Sequence, residues 1–406
     1  MKHIVIIGGG AAGLIAAIHA KRKNNRVTIL EKNSVCGKKI LATGNGKCNY
    51  WNEEQSIDHY HSSNQAILSK IITEDCKKEV LSFFNQLGIY PKIRNGYYYP
   101  ASNQALTIRD ALVAEAIRIG VVIKNNYSVT KIRKEQNLFK IYSLEEDITA
   151  DKIIIATGSK ASSKTGSDGF GYKLLKDLGH QVLKPQPALV QVKTSGKYLK
   201  SWSGVRADAK VSLYIDNKLI KEEQGEIQLT DYGISGICVF NISRYIPIAL
   251  ENKQNVQVKI NFLPFITENA QKFLDNYFQD KPIRPLELEL SVFLNQKLIT
   301  TILTETSLKT NTSYQKLSKQ AKKVLVNALT NFTVIVTATN SFEQAQVCSG
   351  GVPLTEIIPE TMESTIIKDL YIAGELLDVD GDCGGYNLGF AWMSGIKAGK
   401  GCVKND

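Results

Sequence analysis

Lys2-His3-Ile4-Val5-Ile6-Ile7-Gly8-Gly9-Gly10-Ala11-Ala12-Gly13-Leu14 is the stretch that decides the fold of this chain. Its first six residues are a short, branched, apolar run of the kind that forms a buried strand. Glycines follow at once, and Leu14 to Ala20 is an apolar, alanine-rich helix former. That order, strand then tight turn then helix, gives the G-x-G-x-x-G spacing of Gly8, Gly10 and Gly13 its meaning. Gly8 permits the turn, Gly10 lets backbone approach a pyrophosphate, and Gly13 lets the helix pack close to the strand. The helix N-terminus offers free N–H groups and a positive dipole end to phosphate. Outward from this turn, Val27-Thr28-Ile29-Leu30 reads as a second strand ending in Glu31, eighteen residues after Gly13. An acid there can accept hydrogen bonds from an adenosine ribose. The alternative is a βα turn whose glycines serve packing alone.

A length of 406 residues is too much for one ordinary core, so two or three domains are expected. Hydrophobic content of 43% and charged content of 22% are ordinary for a globular protein. No apolar run reaches the roughly 18 residues of a membrane span. The chain opens directly into a strand, leaving no room for a signal peptide, and a cytoplasmic protein is expected. Seven scattered cysteines, at 36, 48, 76, 238, 348, 383 and 402, have no framework spacing and read as free thiols. Neither a C-x-x-C nor a Cys/His cluster suggests a metal. The net charge of +11 comes from lysines spread along the whole length, which reads as a solvated surface rather than a nucleic-acid footprint.

Residues 1 to about 185 alternate between strand and helix patterns. Leu106 to Ile119 is helical in pattern, Val121 to Ile123 and Tyr127 to Ile132 are strands, and Asp151 to Ala156 is a buried strand stopping at Thr157-Gly158. From Leu189 to about Leu263 short alternating segments predict antiparallel β, a small barrel or sandwich. From Ile266 to Asn331 the period is helical. Leu286, Leu290, Phe293, Leu294 and Leu298 form one stripe, and Leu317, Ala321, Val324, Leu325 and Ala328 another. Strand returns at Thr333 to Thr339, and the last sixty residues are α/β again. There Leu370 to Ala373 is a strand ending at Gly374-Glu375, and Asn387-Leu388 open a helix after the glycines of 381 to 385.

A nucleotide-binding unit closed by a distant C-terminal strand-Gly-acid segment resembles the glutathione-reductase-type flavoproteins. Ile155-Ala156-Thr157-Gly158 is similar to their internal strand-end motif, and Leu370 to Glu375 to their C-terminal one, with Glu375 where Asp is commonest. The resemblance is closer to the BaiN-like flavoproteins, which include aminoacetone-oxidase-like proteins. Gly37-Lys38-Lys39-Ile40-Leu41-Ala42-Thr43-Gly44-Asn45-Gly46-Lys47-Cys48-Asn49 looks like that family's loop, although members often carry Gly and Arg at Asn45 and Lys47. Thr165 to Gly169, Leu229 to Gly236, Gly350-Gly351-Val352 and Ala373 to Leu388 also resemble family segments. The resemblance runs from residue 4 to about 399.

It implies an α/β fold with a discontinuous Rossmann-like FAD-binding domain, residues 1–185 and 344–406. Into it are inserted an antiparallel, barrel-like β domain (186–265 and 332–343) and a small helical subdomain (266–331). It implies non-covalent FAD and hydride transfer at flavin N5, on a substrate that meets the ring where the inserted domain covers the FAD domain. On this reading Gly8, Gly10, Ala11, Ala12 and Gly13 face pyrophosphate, Glu31 holds ribose, and Lys32 lies near adenine. Lys38 and Lys39 neutralise phosphate or are merely solvated. Val129 offers backbone to adenine from the third strand, and Thr43, Gly44, Asn45 and Gly46 approach the flavin ring. Ala156, Thr157 and Gly158 form the internal strand end, and Gly374 and Glu375 hold the ribityl chain. The helix opened by Asn387 and Leu388 points its N-terminus at the flavin pyrimidine, or Asn387 is an ordinary cap.

No catalytic side chain is assigned. Cys48 and Cys383 read as packing thiols rather than a redox pair. Asp378, Asp380 and Asp382 read as loop turns or as groups one layer behind the flavin, not a metal loop. The five histidines show no pairing with Ser or Cys. No second strand-G-x-G-x-x-G-helix unit is present, so NAD(P)H, if used, is a transient donor. Small amino ketones and conjugated ketones are both within the resemblance. The alternatives are an RNA-modifying flavoprotein, favoured by the charge, and a flavin-binding protein without turnover. The oligomeric state is open.

Overall fold

The computed structural model describes residues 1–404. Its contacts divide the chain into two compact units, one of Met1–Gln186 with the segment from Gln346 onward, the other Pro187–Ala345.

The first unit is built on a parallel sheet. Strands β1 (Lys2–Ile7), β2 (Asn25–Leu30), β3 (Val122–Lys124), β4 (Lys152–Ile155) and β5 (Leu370–Ile372) lie in the order β5-β4-β1-β2-β3. An antiparallel edge, Glu363–Ser364 and Ile357–Ile358, completes the seven strands beyond β5. β1 is central, with Ile4 aligned to Val27 on one side and to Lys152 on the other. It carries Ile4, Val5 and Ile6 at zero exposure, as a strand covered on both faces must. Helices α1 (Ala11–Ala20) and α2 (Tyr386–Gly401) pack against each other through glycines. A Cβ on Gly395 would stand 2.6 Å from the Ala12 carbonyl oxygen, and one on Gly399 would stand 2.4 Å from that of Ala16. Small residues therefore bring the first and last helices of the chain backbone to backbone.

Two pieces of this unit differ from the sequence reading. Val129 does not join the parallel sheet. It opens the strand Val129–Glu135 of a separate antiparallel sheet with Leu138–Ser143 and Ile148–Ala150, and the parallel neighbour of β2 is β3. The last helix starts at Tyr386, and its N-cap is Gly385 rather than Asn387.

The second unit is a closed six-stranded barrel. Val192–Ser195, Gly233–Ser235, Lys218–Leu229, Arg206–Ile215, Val256–Asn261 and Phe332–Thr339 follow in order, and the last pairs back onto the first. Inward Val256, Val258 and Ile260 alternate with half-exposed Gln257 and Lys259, the period-two pattern of a filled barrel. The T-D-Y-G-I-S-G turn is part of this wall. A Cβ on Gly233 would lie 2.1 Å from the Val192 carbonyl oxygen, and one on Gly236 would lie 2.3 Å from that of Glu226. The helices Ala270–Gln279, Leu286–Leu290, Gln296–Glu305 and Lys319–Thr330 share one hydrophobic core with the barrel. The stripe from Leu286 to Leu298 is split between two of them, because Asn295 accepts from the Lys297 N–H and starts a new helix. Among the described residues no helix is long and apolar enough to cross a membrane.

Candidate cofactor cradle

The three glycines of the first turn have three different neighbourhoods. Gly8 has φ +100°, and a Cβ there would meet the Ala156 carbonyl oxygen at 2.6 Å, against the end of β4. A Cβ on Gly13 would lie 1.9 Å from the Gly8 carbonyl oxygen, so the helix closes directly onto the turn. Gly10 is the opposite case: a Cβ there would have nothing within 4 Å, and its backbone is ordinary extended chain with φ −78°. Gly10 caps α1 without any side-chain hydrogen bond. Open space thus lies beside Gly10, at the uncapped start of α1, which is the shape and polarity an anion needs.

Glu31 lies at the end of β2 and is buried, at 7% exposure. Its Oε2 accepts the Gly9 N–H at 2.8 Å, and Oε1 accepts the backbone and side-chain N–H of Asn33 at 2.8 and 2.7 Å. Oε2 keeps acceptor capacity beyond the one N–H. Asn33 was not singled out in the sequence, although an Asn two residues after a strand-end acid is placed to orient it. Asn33 also reaches the Thr165–Gly169 loop, where a Cβ on Gly166 (φ +100°) would lie 2.3 Å from the Asn33 amide. Lys32 pairs with Asp168 of that loop at 2.6 Å, with both side chains well exposed.

Lys39, Ser159 and Glu375 meet although they are far apart in sequence. Lys39 Nζ lies 2.7 Å from Glu375 Oε2, and the Ser159 hydroxyl donates to the same oxygen at 2.7 Å. Gly374, at φ +73°, brings this segment against α1, since a Cβ there would lie 2.9 Å from that of Ala12. Its N–H donates to Ser394 Oγ of α2 at 3.0 Å. Lys38 is exposed whereas Lys39 in this group is half-buried. Next to it, the buried Thr157 hydroxyl has no hydrogen-bond partner among the described residues, an unmet polar group at the strand end.

The 43–48 loop is a tight left-handed run. Gly44, Asn45, Gly46 and Cys48 have φ of +55°, +53°, +80° and +56°, and residues 44 to 47 are exposed. Asn tolerates that conformation better than other side chains, which accounts for Asn45 at a position where glycine is common. The Cys48 thiol is fully buried, and burial pushes it up to about 12. None of the seven cysteines is in a disulfide.

The α2 N-terminus is a second uncapped helix start. Gly384 and Gly385 have φ of +131° and +93°, and no side chain caps the helix. Asn387 does not cap it. Its amide instead brackets the Gly381 peptide, accepting from N–H and donating to C=O, both at 2.8 Å. The neighbouring strand Tyr97–Pro100 supplies aromatic walls. A Cβ on Gly384 would lie 2.7 Å from the Tyr97 ring, and one on Gly44 would lie 3.7 Å from the Tyr99 ring. Period-two spacing puts Tyr97 and Tyr99 on one face while Tyr98 turns to Tyr50. That alternation is legible in Y-Y-Y.

Asp378, Asp380 and Asp382 are all buried. Asp378 accepts the Ser63 N–H at 2.8 Å, and Asp382 receives His59 and His61. Among the described residues no group of three or more His, Cys, Asp or Glu is arranged to hold a metal ion. The structure also brings together a pairing the sequence did not offer: His180 lies 2.7 Å from Glu356 and 3.0 Å from the Ser364 hydroxyl. That hydroxyl already accepts the N–H groups of Ile366 and Ile367 and is buried, so the trio fastens a turn.

A parallel βαβ unit with an open glycine turn, a strand-end carboxylate and a returning C-terminal segment define the class: a Rossmann-type flavoprotein, an FAD-dependent oxidoreductase. Within that class the chain belongs to the HI0933-like protein Rossmann domain family, which it matches over residues 2–401. It is 39% identical over 403 residues to a 3-dehydro-bile acid delta(4,6)-reductase of Clostridium scindens, covering 98% of each chain. It is 28% identical over 397 residues to a ribosomal RNA dihydrouridine synthase of Haemophilus influenzae, covering 96% of each. Among solved structures, a flavocytochrome c3 fumarate reductase in an open conformation aligns with 99% of this chain and 78% of its own, at 13% identity and a TM-score of 0.49.

Proposed function

We propose that this protein is a BaiN-like, FAD-dependent reductase of a carbon–carbon double bond conjugated to a carbonyl, in a small organic substrate such as a cyclic ketone. The observation that carries the proposal is the pair of uncapped helix starts, at Gly10 and Gly385, on helices packed backbone to backbone in one unit. One suits a pyrophosphate and the other the electron-rich end of a flavin. The names of the two relatives support the bond type, since a delta(4,6)-reductase and a dihydrouridine synthase both saturate a double bond conjugated with a carbonyl.

In this reading the N–H groups of Ala11, Ala12 and Gly13 hold pyrophosphate, and Gly8 and Gly10 leave room for it. Glu31, oriented by Asn33, accepts ribose hydroxyls. Lys32 and the backbone of Val129, whose strand starts beside Glu31, lie at the adenosine end. Glu375, with Lys39 and Ser159, holds the chain between pyrophosphate and ring, and the Thr157 hydroxyl and the Ala156-Thr157-Gly158 backbone border it. Thr43 to Gly46 and the start of α2 at Asn387 and Leu388 border the ring. The flavin, when bound, supplies hydride at N5. NADH or NADPH is proposed as its transient donor.

The test is direct. Purified protein should be yellow and should release FAD on acid precipitation. Anaerobically reduced protein should be reoxidised by a 3-oxo-Δ4 steroid. Recovery of FMN or no flavin would sink the cofactor assignment, and FAD without reoxidation would sink the substrate class. A second reading, action on RNA, is favoured by the +11 charge and the second relative. Its mark would be rRNA binding that weakens steeply with salt, together with reoxidation by RNA.

A further inference from the structure

Saturating a conjugated double bond takes a hydride and one separate proton. Under the reading proposed above, on which this rests, the hydride is cofactor chemistry, and the proton must come from a side chain or water. The segment Tyr60–His61 pairs antiparallel with Asp380–Gly381, and the Asp382 N–H donates to the His59 carbonyl at 2.9 Å. This short ladder sets two imidazoles on one buried carboxylate. His59 Nδ1 lies 3.2 Å from Asp382 Oδ2, and His61 Nε2 lies 3.1 Å from Oδ1. A carboxylate only accepts, so both nitrogens donate. The His59 ring stacks on Tyr386, the first residue of α2, with centroids 4.4 Å apart and planes 20° from parallel. Its Nε2 lies 3.8 Å from the exposed Glu54 carboxylate, beyond hydrogen-bond reach. The His59 side chain is 30% exposed and that of Asp382 only 7%.

We propose that His59 is the general acid of the reduction and that Asp382 is its positioning residue, with His61 as a second tether on the carboxylate. Asp382 orients the ring by holding Nδ1–H, and in the imidazolium form the Nε2–H is the proton to give, the same logic by which a buried carboxylate orients a catalytic imidazole elsewhere. In the step, the Nε2–H bond breaks and a C–H bond forms at the substrate carbon next to the carbonyl. The hydride has already supplied both electrons and the other hydrogen. The neutral imidazole regains its proton from solvent across its exposed edge. The groups facing His59 are Asp382, Glu54 and Tyr386, and His61 acts on it through Asp382.

The test uses the FAD-loaded protein, its His59→Gln, His59→Gly and Asp382→Asn variants, and two readouts. Dithionite-reduced protein mixed with a 3-oxo-Δ4 steroid should reoxidise about 10²-fold or more slowly in His59→Gln, with unchanged flavin content. Asp382→Asn should slow reoxidation by about tenfold or more, and free imidazole should restore part of the rate of a His59→Gly variant but not that of Asp382→Asn. Independently of any substrate, long-range ¹H–¹⁵N spectra should show the neutral His59 ring carrying its proton at Nδ1 in wild type and as a mixture of tautomers in Asp382→Asn. If wild type ignores the steroid, the double-bond reading fails while the tautomer still decides whether Asp382 positions His59. A His59 tautomer indifferent to Asp382→Asn, or an unaltered reoxidation rate in His59→Gln, overturns the proposal.

Discussion

The two uncapped helix starts in the first unit are made in opposite ways. At α1 the helix closes onto its own turn: a Cβ on Gly13 would strike the Gly8 carbonyl oxygen five residues back at 1.9 Å, and only Gly8 is also hemmed in from outside, by Ala156 at the end of β4. At α2 the turn is closed from a distance. A Cβ on Gly385 would strike the Trp51 backbone at 2.8 Å, and Asn52 Nδ2 donates to the Gly384 carbonyl at 2.9 Å, across 332 residues. A local device needs only its own sequence, whereas a distant one needs the whole unit folded first. Within the local turn, Gly10 stands apart because nothing in the protein occupies its missing side chain's place.

That contrast breaks most sharply with Gly13→Ala against Gly10→Ala. Gly13→Ala puts a methyl 1.9 Å from a backbone oxygen and should cost on the order of 3 kcal/mol or more in the apoprotein. Gly10→Ala should leave the apoprotein's melting temperature within about a degree, because the backbone there is unstrained and the space is open. Yet it should weaken FAD binding by about tenfold or more, since the methyl enters the cradle. Calorimetry of the apoproteins and flavin titration separate the two. Equal losses of stability would mean that Gly10 serves packing and the cradle is misplaced.

Glu31→Gln sharpens the same point at the far end of the turn. The amide turns an N–H₂ toward the donors of Gly9 or Asn33 and loses the charge. A charged hydrogen bond is worth about 1.5–3 kcal/mol, so FAD affinity should fall by roughly 10- to 150-fold. Titration of the apoprotein with FAD and with FMN checks it. FMN has no adenosine, and its weaker binding should be unchanged by the substitution.

For the distant turn the matching variant is Asn387→Ala. It frees the Gly381 N–H and C=O, each bonded at 2.8 Å, and should cost about 1–3 kcal/mol of stability. Because α2 begins just before it, the bound flavin's visible band should shift as well, while adenosine-end affinity should hold. A band unchanged from wild type would place α2 away from the ring.

The local turn was legible in sequence because strand, glycines, helix and Glu31 fall within thirty residues and each has its own physical reason. The barrel was legible too, because Val256, Val258 and Ile260 keep the period of a half-buried strand. What stayed hidden is joined across the chain. Lys39 finds Glu375 336 residues on, and His59 finds Asp382 323 residues on, and no spacing rule predicts either. Val129 was misplaced because a short β-branched run reads alike in parallel and antiparallel sheets. Only its partner, Ser143, decides between them.

The smallest effect expected is at Cys48, beside the left-handed loop that the distant turn faces. Its thiol is fully buried, and burial holds it up to about 12. A thiol so raised stays protonated near neutral pH, which weighs against a nucleophile or a redox thiol. Cys383 sits on a separate segment, in no disulfide and partly exposed. Cys48→Ser places a hydroxyl where an apolar thiol packed, at about 1–2 kcal/mol of stability. Flavin content and anaerobic bleaching by a competent donor should match wild type, as should the two electrons taken up per flavin. Cys383→Ser should do the same with less loss of stability, because its position is less buried. Stopped-flow reduction and an electron count by dithionite titration check both. If either variant binds FAD normally but loses turnover, or takes up fewer electrons than wild type, the thiols are part of the chemistry. The hydride reading would then give way to a dithiol one.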